Sequence, residues 1–289
     1  MNLVKTSLLS VGILLTQQTI AQENIAFKLD ENYPIESSGT IYLESDDANV
    51  KITGANRKDV HVKVFRKVTR KGVVFGDDSF EFEVKPRNGN LYIKDIQQQV
   101  NIGVIGYMRE EYEITIEAPN TISLEIDGDD DDYDVRNING SITMDLDDGD
   151  ARLTNCGGDH FEFDFDDGDL EMDQARGSLK LTLDDGDANI RNASFSSIDA
   201  RADDGEIEIS TALEDNGDYS FRVDDGNVEL TVLKGGGTFH IYHDDGRVSA
   251  SETFKVMVEK DDETKLKLGT GNATVKMRVD DSNVRLRSY

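Results

Sequence analysis

The chain has 289 residues, of which 59 are Asp or Glu and 31 are Lys or Arg, giving a formal net charge of −28 at neutral pH. So acidic a surface repels phosphate groups, which excludes a nucleic-acid partner, whereas a cation or a basic partner is compatible with it. The length allows one long repeat domain or two domains, and the single cysteine, Cys156, excludes an internal disulfide.

Residues 1–21 have the pattern of a secretory signal peptide. Lys5 precedes an apolar stretch over residues 8–15, and Thr19-Ile20-Ala21 forms a small-residue cleavage site. We therefore expect an exported protein that is periplasmic, exposed at the outer surface or secreted. Loss of Lys5 with the signal would change the formal charge from −28 to −29. No later segment has the ~18 consecutive apolar residues of a membrane span, so we expect no transmembrane segment in the mature chain.

Residues 22–120 are the less regular part of the chain, and we interpret them as an N-terminal β region with a degenerate first repeat. Asp46 and Asp47 are flanked by alternating apolar residues, as the later repeats are. A basic strip over residues 57–71 alternates with valines, and we interpret it as a solvated strand edge, which lysines protect from pairing. The alternative is a contact for an acidic group. The apolar residues between 100 and 108 would cover the open end of the repeat array.

Residues 121–289 contain a four-residue phrase, which we call the corner, at an almost constant spacing. Each corner consists of two Asp residues, then Gly (Ser in the last copy), then a polar residue, and the copies begin at Asp147, Asp166, Asp184, Asp203, Asp224, Asp244 and Asp280. Self-similarity at about 19 residues is typical of stacked units that cover one another's apolar faces. Residues 252–272 interrupt the period, and we interpret the gap as two coils with one corner lost.

Apolar and polar residues alternate on both sides of each corner. The residues one, three and five before Asp166 are all Phe, and the slots four and six after it hold Leu170 and Met172. Period two indicates strands with one buried face. We therefore predict that Phe163, Leu181 and Phe221 lie in the core.

Two all-β folds are compatible with this pattern. An Asp-Gly pair between alternating segments is a strong hairpin signal, which would give an antiparallel meander or sandwich. In that hairpin Asp147 would face Asp150, and like charges directly opposite are destabilising. In a parallel β-solenoid of about 19-residue coils, each corner joins two parallel sheets and each coil pairs with the next. The recurring repulsion and the constant period favour the solenoid.

The chain also resembles a known family. Glu113-Ile114-Thr115-Ile116-Glu117-Ala118-Pro119-Asn120 leads into residues 122–126 as a strand, a proline and a second strand, and the end from Gly269 to Leu286 has the family's closing pattern. These segments and the repeated corners resemble the DUF4097 family of bacterial adhesin-type domains, related to the DUF2807 head-GIN domain, over residues 38–287. The resemblance implies an exported right-handed β-helix without established enzymatic activity. The corners differ from the family pattern because they carry more Asp.

The additional acid accumulates in the first coils. Residues 127–187 contain 21 acidic and 4 basic residues. The first two Asp recur in every corner and are interpreted as turn caps, with Gly supplying a positive φ, whereas the fourth residue is acidic only in the earlier corners. Stacked carboxylates with corner carbonyls suit Ca²⁺. The candidate ligands are Asp129, Asp131, Asp147, Asp148, Asp150, Asp166, Asp167, Asp169, Asp184, Asp185 and Asp187.

We therefore expect a non-catalytic, adhesin-like binding or scaffold protein of the cell envelope whose partner is a protein or glycan at the cell surface. No Ser-His-Asp arrangement or zinc spacing stands out among the four His and one Cys. Two alternatives stay open. One is a Ca²⁺-dependent, lyase-like enzyme acting on polysaccharides, and the other is an envelope-stress or regulatory partner protein with a purely solvated acidic face.

Overall fold

The computed structural model describes residues 22–75, 79–98, 103–244 and 246–289. Within these ranges the chain forms strands, turns and bends, so the all-β class is confirmed. No helix in the described ranges is long and apolar enough to cross a membrane. The segment interpreted as a signal peptide, residues 1–21, lies outside the described residues, as do Val100, Ile102 and Asp245.

The strands are numbered in chain order. The N-terminal region contains β1 (Gln22–Pro34), β2 (Thr40–Ser45), β3 (Asn49–Ala55), β4 (Asp59–Phe75), β5 (Ser79–Arg87), β6 (Asn90–Gln98) and β7 (Gly103–Pro119). The next strands are β8 (Ser123–Gly128), β9 (Asp132–Arg136), β10 (Ile142–Leu146), β11 (Ala151–Thr154), β12 (Gly157–Phe165), β13 (Leu170–Asp173) and β14 (Arg176–Leu183). The last are β15 (Ala188–Lys234), β16 (Gly237–His243), β17 (Val248–Ala250), β18 (Phe254–Glu259), β19 (Glu263–Leu268), β20 (Ala273–Val279) and β21 (Asn283–Ser288).

The middle of the chain consists of coils, each made of a first strand, a corner and a second strand. The first strand β10 pairs in parallel with β8 and β12, and the second strand β11 pairs in parallel with β9 and β13. Ile142 is opposite both Leu124 and Phe161, which precede and follow it by one repeat. Asp147 donates its backbone N–H to Gly128 O of the neighbouring coil at 3.1 Å. The corner therefore connects two parallel ladders.

The inward side chains of the first strands form a continuous apolar core. Phe163 is opposite Met144 on one side and Leu181 on the other, and its ring lies 5.9 Å from that of Phe165. Phe163, Leu181 and Phe221 are each 1% exposed, which confirms the predicted inward phase. Because parallel strands lie about 4.8 Å apart, each inward side chain covers the equivalent side chain of the next coil.

The spatial order of the coils differs from the sequence order at both ends. The coil formed by β2 and β3 lies between β6 and β7 on one side and β8 and β9 on the other. At the far end, β20 lies between β15 and β16, and β21 lies between β15 and β17. The last coil of the sequence is therefore inserted before the coil that precedes it in the chain.

Antiparallel strands extend both ends of the stack, so the two fold alternatives occur in one mixed sheet. β4 pairs with β1 and β7, β5 pairs with β6, and β19 pairs with β16 and β18, all antiparallel. The interpretation of residues 252–272 as two coils with one lost corner is wrong, because β18 and β19 form an antiparallel pair there. Antiparallel neighbours can be joined by a short turn, whereas a coil needs a full repeat.

The basic strip is not a solvated strand edge. Strand β4 has a neighbour on each side, and Arg66 and Arg70 are buried on its inner face. Arg66 forms an ion pair with Glu110 and lies 4.4 Å above the ring of Phe80. A guanidinium can be buried in this way because the carboxylate and the aromatic ring compensate for lost hydration.

The expected apolar cover over the end of the stack is also not seen where residues 100–108 are described. Tyr107 is 54% exposed and Met108 is 44% exposed, both on β7 in its antiparallel pairing with β4. These side chains therefore lie on the surface of the antiparallel extension and do not pack over the inward residues of a coil.

Candidate functional site

The corners align because their backbones continue the ladder between coils. Asp148 N donates to Asp129 O at 3.0 Å, Asp167 N donates to Asp147 O at 2.8 Å, and Asp185 N donates to Asp166 O at 2.8 Å. Each corner is thus fixed by hydrogen bonds to the corner before it. The column of corners forms a ridge along one edge of the stack, which we call the corner ridge.

The corner glycine is required by close approach. A Cβ on Gly168 would lie 2.2 Å from Gly149 O, and a Cβ on Gly186 would lie 2.2 Å from Gly168 O. Neither glycine has a positive φ in this structure, so the expectation that Gly supplies a positive φ in these corners is wrong. Any side chain here would displace the preceding corner and break the backbone ladder.

The fourth residue of the corner has a structural role that the sequence analysis assigned to the first two. Asp150 Oδ1 accepts from Asp169 N at 3.1 Å, Asp169 Oδ1 accepts from Asp187 N at 2.9 Å, and Asp187 Oδ1 accepts from Glu206 N at 2.8 Å. These carboxylates therefore link successive coils. The interpretation of the first two Asp as turn caps is wrong in these corners, because the carboxylate of the fourth residue accepts the backbone N–H of the following coil instead.

The first two Asp of these corners point to solvent. Asp147, Asp148, Asp166, Asp167, Asp184 and Asp185 are all exposed, and within the described part of the chain their carboxylates make no hydrogen bond or ion pair. Reduced hydration and the charges of Asp167 and Asp130 raise the pKa of Asp148. Reduced hydration and the charges of Asp166 and Asp203 raise the pKa of Asp184. The ridge therefore carries carboxylates that repel one another and that a cation could neutralise.

A longer acidic turn, residues 127–134, precedes the first corner, and we call it the expanded corner. Of its two candidate ligands, Asp129 is exposed and Asp131 is buried. Reduced hydration, followed by the charges of Asp130 and Asp147, raises the pKa of Asp129. Asp131 is 0% exposed and accepts from Ser45 Oγ at 3.0 Å, Tyr133 OH at 3.0 Å and Ala48 N at 2.6 Å. It therefore joins the neighbouring coil to its own.

A second buried carboxylate lies near Asp131 and was missed by sequence reasoning. Asp95 accepts from Tyr112 OH at 3.0 Å and from Asp46 N at 3.2 Å. Burial raises the pKa of Asp131 to about 7, and the charge of Asp95 adds to that shift. Burial raises the pKa of Asp95 to about 6, with the charges of Asp46 and Glu44 acting in the same direction. The pairing of Asp95 with Tyr112 could not be read from the sequence, because the β6–β7 connection separates them.

The tightest acidic group in the described residues is adjacent to this pair. Carboxylate oxygens of Asp46, Asp47 and Asp130 lie within 4.8 Å of one another. Burial and the neighbouring acidic groups raise the pKa of Asp46, while burial and Asp130 raise that of Asp47. None of the eleven predicted ligands belongs to this group. The structure brings those eleven residues to one ridge, with Asp131 turned into the core.

The fold and the corner ridge define a class: an all-β protein of stacked coils with a column of acidic corners. The chain belongs to the Toastrack DUF4097 family, whose model matches residues 39–287. The resemblance identified from the corners and the closing segment is thereby confirmed. No curated protein matches the chain.

Several solved structures are similar to this chain. A candidate adhesin from Bacteroides fragilis NCTC 9343 is 11% identical, with a TM-score of 0.49, over 90% of this chain and 97% of that one. A candidate adhesin from Parabacteroides distasonis ATCC 8503 is 7% identical, with a TM-score of 0.45, over 91% and 97% of the two chains. A candidate lipid-binding protein from the same organism is 8% identical, with a TM-score of 0.41, over 90% and 96%.

Proposed function

We propose that the protein is an exported, non-catalytic, adhesin-like binding or scaffold protein of the cell envelope. Family membership and the stack of coils support this proposal, because such a stack presents long, regular outer faces for a surface partner. Residues 1–21 would be the signal peptide and residues 22–289 the mature chain, either periplasmic, surface-exposed or secreted. The mature chain would be one right-handed parallel β-helix, in which 22–120 continues into 121–289.

The observation on which the proposal rests is that different residues of the corner have different roles. The glycine and the fourth residue hold coils together, whereas the first two Asp are exposed and make no contact that the fold requires. Carboxylates that destabilise their neighbours and serve no fold contact are candidates for binding. We therefore keep Ca²⁺ as the proposed ligand of the ridge, with Asp147, Asp148, Asp166, Asp167, Asp184 and Asp185 as the principal donors.

The remaining candidate ligands differ in how directly they could contact a cation. Asp150, Asp169 and Asp187 each use one carboxylate oxygen for a backbone N–H, which leaves the second oxygen for a cation. Asp129 lies in the exposed part of the expanded corner, and Asp131 would act only by holding that corner in place. Ca²⁺ accepts six to eight oxygen ligands in flexible geometry, so a ridge of carboxylates and corner carbonyls suits it.

The melting temperature tests the Ca²⁺ proposal. We expect millimolar Ca²⁺ to raise it relative to EDTA at matched ionic strength, since a ligand at 100 times its dissociation constant stabilises the folded state by about 2.7 kcal/mol. The rise should be lost in the triple variant D147N/D166N/D184N. The matched control is E208Q/E214Q/E259Q, which also removes three negative charges but from exposed positions outside the corner ridge. An equal rise with NaCl alone would show simple screening and would contradict a specific site.

A binding assay and an enzyme assay test the rest. The mature chain should bind immobilised cell-surface glycans or proteins without consuming them. Incubation with acidic polysaccharides and Ca²⁺ should give no new reducing ends and no unsaturated products. Appearance of such products would instead favour the lyase-like enzyme, and absence of all surface binding would favour the regulatory partner protein with a solvated acidic face.

A further inference from the structure

On the outer face of the first strands, one column of side chains changes from acidic to basic along the stack. Two residues before each corner, the side chain points outward. In spatial order this column contains Lys94, Glu44, Asp127, Asp145, Asp164, Thr182, Arg201, Arg222, Arg278, Tyr242 and Glu263. We call it the charge column. Its acidic and basic blocks are contiguous and meet at Thr182.

The register places neighbouring members of the column directly opposite one another. Asp145 is paired with Asp127 and Asp164, and Arg278 is paired with Arg222 and Tyr242. Arg201 and Arg222 lie on neighbouring coils, because the corner glycines that follow them are in close contact: a Cβ on Gly226 would lie 1.9 Å from Gly205 O. Like charges therefore recur about every 4.8 Å in each block.

The charged members of the column are exposed, except for the half-buried Glu263, and contribute little to the fold. Arg201 lies 3.3 Å from Asp199 and Arg222 lies 3.5 Å from Asp224, both as surface ion pairs on their own coils. Such exposed pairs contribute little stability. Reduced hydration and the charges of Asp164 and Asp127 raise the pKa of Asp145, so neighbouring carboxylates of the acidic block repel one another.

Opposite charges lie at equal distances from Thr182 on the two sides of the column. Asp164 and Arg201 lie one coil from it on opposite sides, Asp145 and Arg222 lie two coils from it, and Asp127 and Arg278 lie three coils from it. Consider a second copy related by a two-fold axis that runs parallel to the strand of Thr182. The outer faces of the two copies then lie against each other, and the coils of the second copy run in the opposite order. Every acidic member of the block then meets an arginine of the other copy.

We infer that two copies of this chain associate face to face through the charge column, in an isologous dimer whose axis passes Thr182. Asp164, Asp145 and Asp127 of one copy pair with Arg201, Arg222 and Arg278 of the other. Because the axis is two-fold, each of these pairs occurs twice. The acidic and basic blocks have the same repeat distance, since the strand spacing sets both, so all pairs can form in one register.

The positions beyond the two blocks fit the same dimer. Lys94 and Glu263 both lie five strands from Thr182, so they also meet as opposite charges. In the adjacent outward column, two residues earlier, Glu125 meets Lys276, whereas Glu162 meets Asp199 as like charges. Each of these two carboxylates has a basic neighbour in its own copy, Lys180 and Arg201, which reduces their repulsion. The exposed Tyr242 is covered by the coil of Glu44. Lys180 at the axis is flanked by Glu162, at 2.6 Å in its own copy, which limits repulsion between the two Lys180 side chains.

The face is large enough for a stable dimer. The eleven strands of the column are separated by ten spacings of about 4.8 Å, which gives a length of about 48 Å, and five residues per strand give a width of about 16 Å. The product is about 770 Å² on each copy, close to the roughly 800 Å² per partner of a standard interface. The net charge opposes association, but charges separated by more than about 8 Å are screened at an ionic strength of 0.15 M.

Sedimentation velocity of charge-swap variants in about 0.15 M NaCl tests this dimer. We expect the wild-type chain to sediment as a dimer at micromolar concentration. D145R or R222D alone places like charges in contact twice, and each should raise the dissociation constant at least about tenfold. The double variant D145R/R222D reverses both contacts and should restore the dimer. The pair D164R/R201D, one coil from the axis, provides an independent repetition.

The control is E208R, which changes the net charge as D145R does but lies exposed on the second strands. It should leave the dimer intact, and circular dichroism should show the same strand content in all variants. A monomeric wild type, single swaps that leave the dimer unchanged, or a double swap that fails to restore it would each overturn the inference. A monomeric wild type would leave the arginines available to an external polyanion.

Discussion

The first coils and the last coils of the stack share one backbone plan and differ in outward charge. Phe163 in an early coil and Phe221 in a late coil occupy the same inward slot and are each 1% exposed. Two residues before the corner, the early coils carry Asp145 and Asp164, whereas the late coils carry Arg201 and Arg222. The inward positions are constrained equally throughout the stack, whereas the outward positions are free to differ, and the proposed binding would therefore lie at the outward positions.

The inward positions allow the first test of this comparison. Phe163→Ala and Phe221→Ala should each lower the free energy of unfolding by about 3–5 kcal/mol, because each leaves a cavity between neighbouring coils. Urea unfolding should show losses of similar size in the two halves. The control Glu162→Ala, on the outer face beside Phe163, should change stability little. A large loss in only one half would contradict the claim that both halves have the same core.

The buried Asp131 allows a second test, because it departs from the exposed corners of the other coils. Its folded-state pKa of about 7 lies above the ordinary Asp value of 3.8, so the folded state holds the proton more tightly than the unfolded state. Its contribution to stability is therefore full below about pH 4 and is lost as the pH rises towards 7. Asp131→Asn cannot ionise, and its amide oxygen can still accept the Ala48 N–H.

We expect Asp131→Asn to be more stable than the wild type at pH 8, by the order of 3 kcal/mol, with the difference vanishing near pH 4. Unfolding in urea across this pH range measures it. Asp132→Asn, the adjacent exposed residue, is the matched control and should retain the wild-type pH dependence. Equal slopes for Asp131→Asn and the wild type would show that Asp131 does not bind a proton in this range.

Local periodicity was enough to predict the coils but not their order. Alternation around each corner identifies the inward side of Phe163 and Leu181, because strand geometry has a period of two regardless of the partner. The insertion of β20 and β21 before β16 and β17 depends on which strands pair over long distances. The spacing of residues along the chain does not show which strands pair over long distances. For this reason the interpretation of residues 252–272 as coils is wrong.

The roles of individual acidic residues could be predicted only in part. The sequence identified the corner ridge, since every corner recurs in phase. It did not distinguish the exposed Asp147 from Asp150, whose carboxylate accepts the Asp169 N–H, because both are Asp in an acidic turn. The burial of Asp131 and of Arg66 depends on partners from other strands, Ser45 and Glu110, which local pattern does not reveal.

The central claim is that the fourth corner residue builds the stack while the first is free to bind. Urea unfolding of two triple variants in EDTA tests it most directly. D150A/D169A/D187A removes three acceptors of backbone N–H groups and should lose about 3 kcal/mol, at about 1 kcal/mol for each hydrogen bond. D147A/D166A/D184A removes only exposed, mutually repelling charges and should lose no stability. A loss in the second variant equal to or larger than that in the first would contradict the claim.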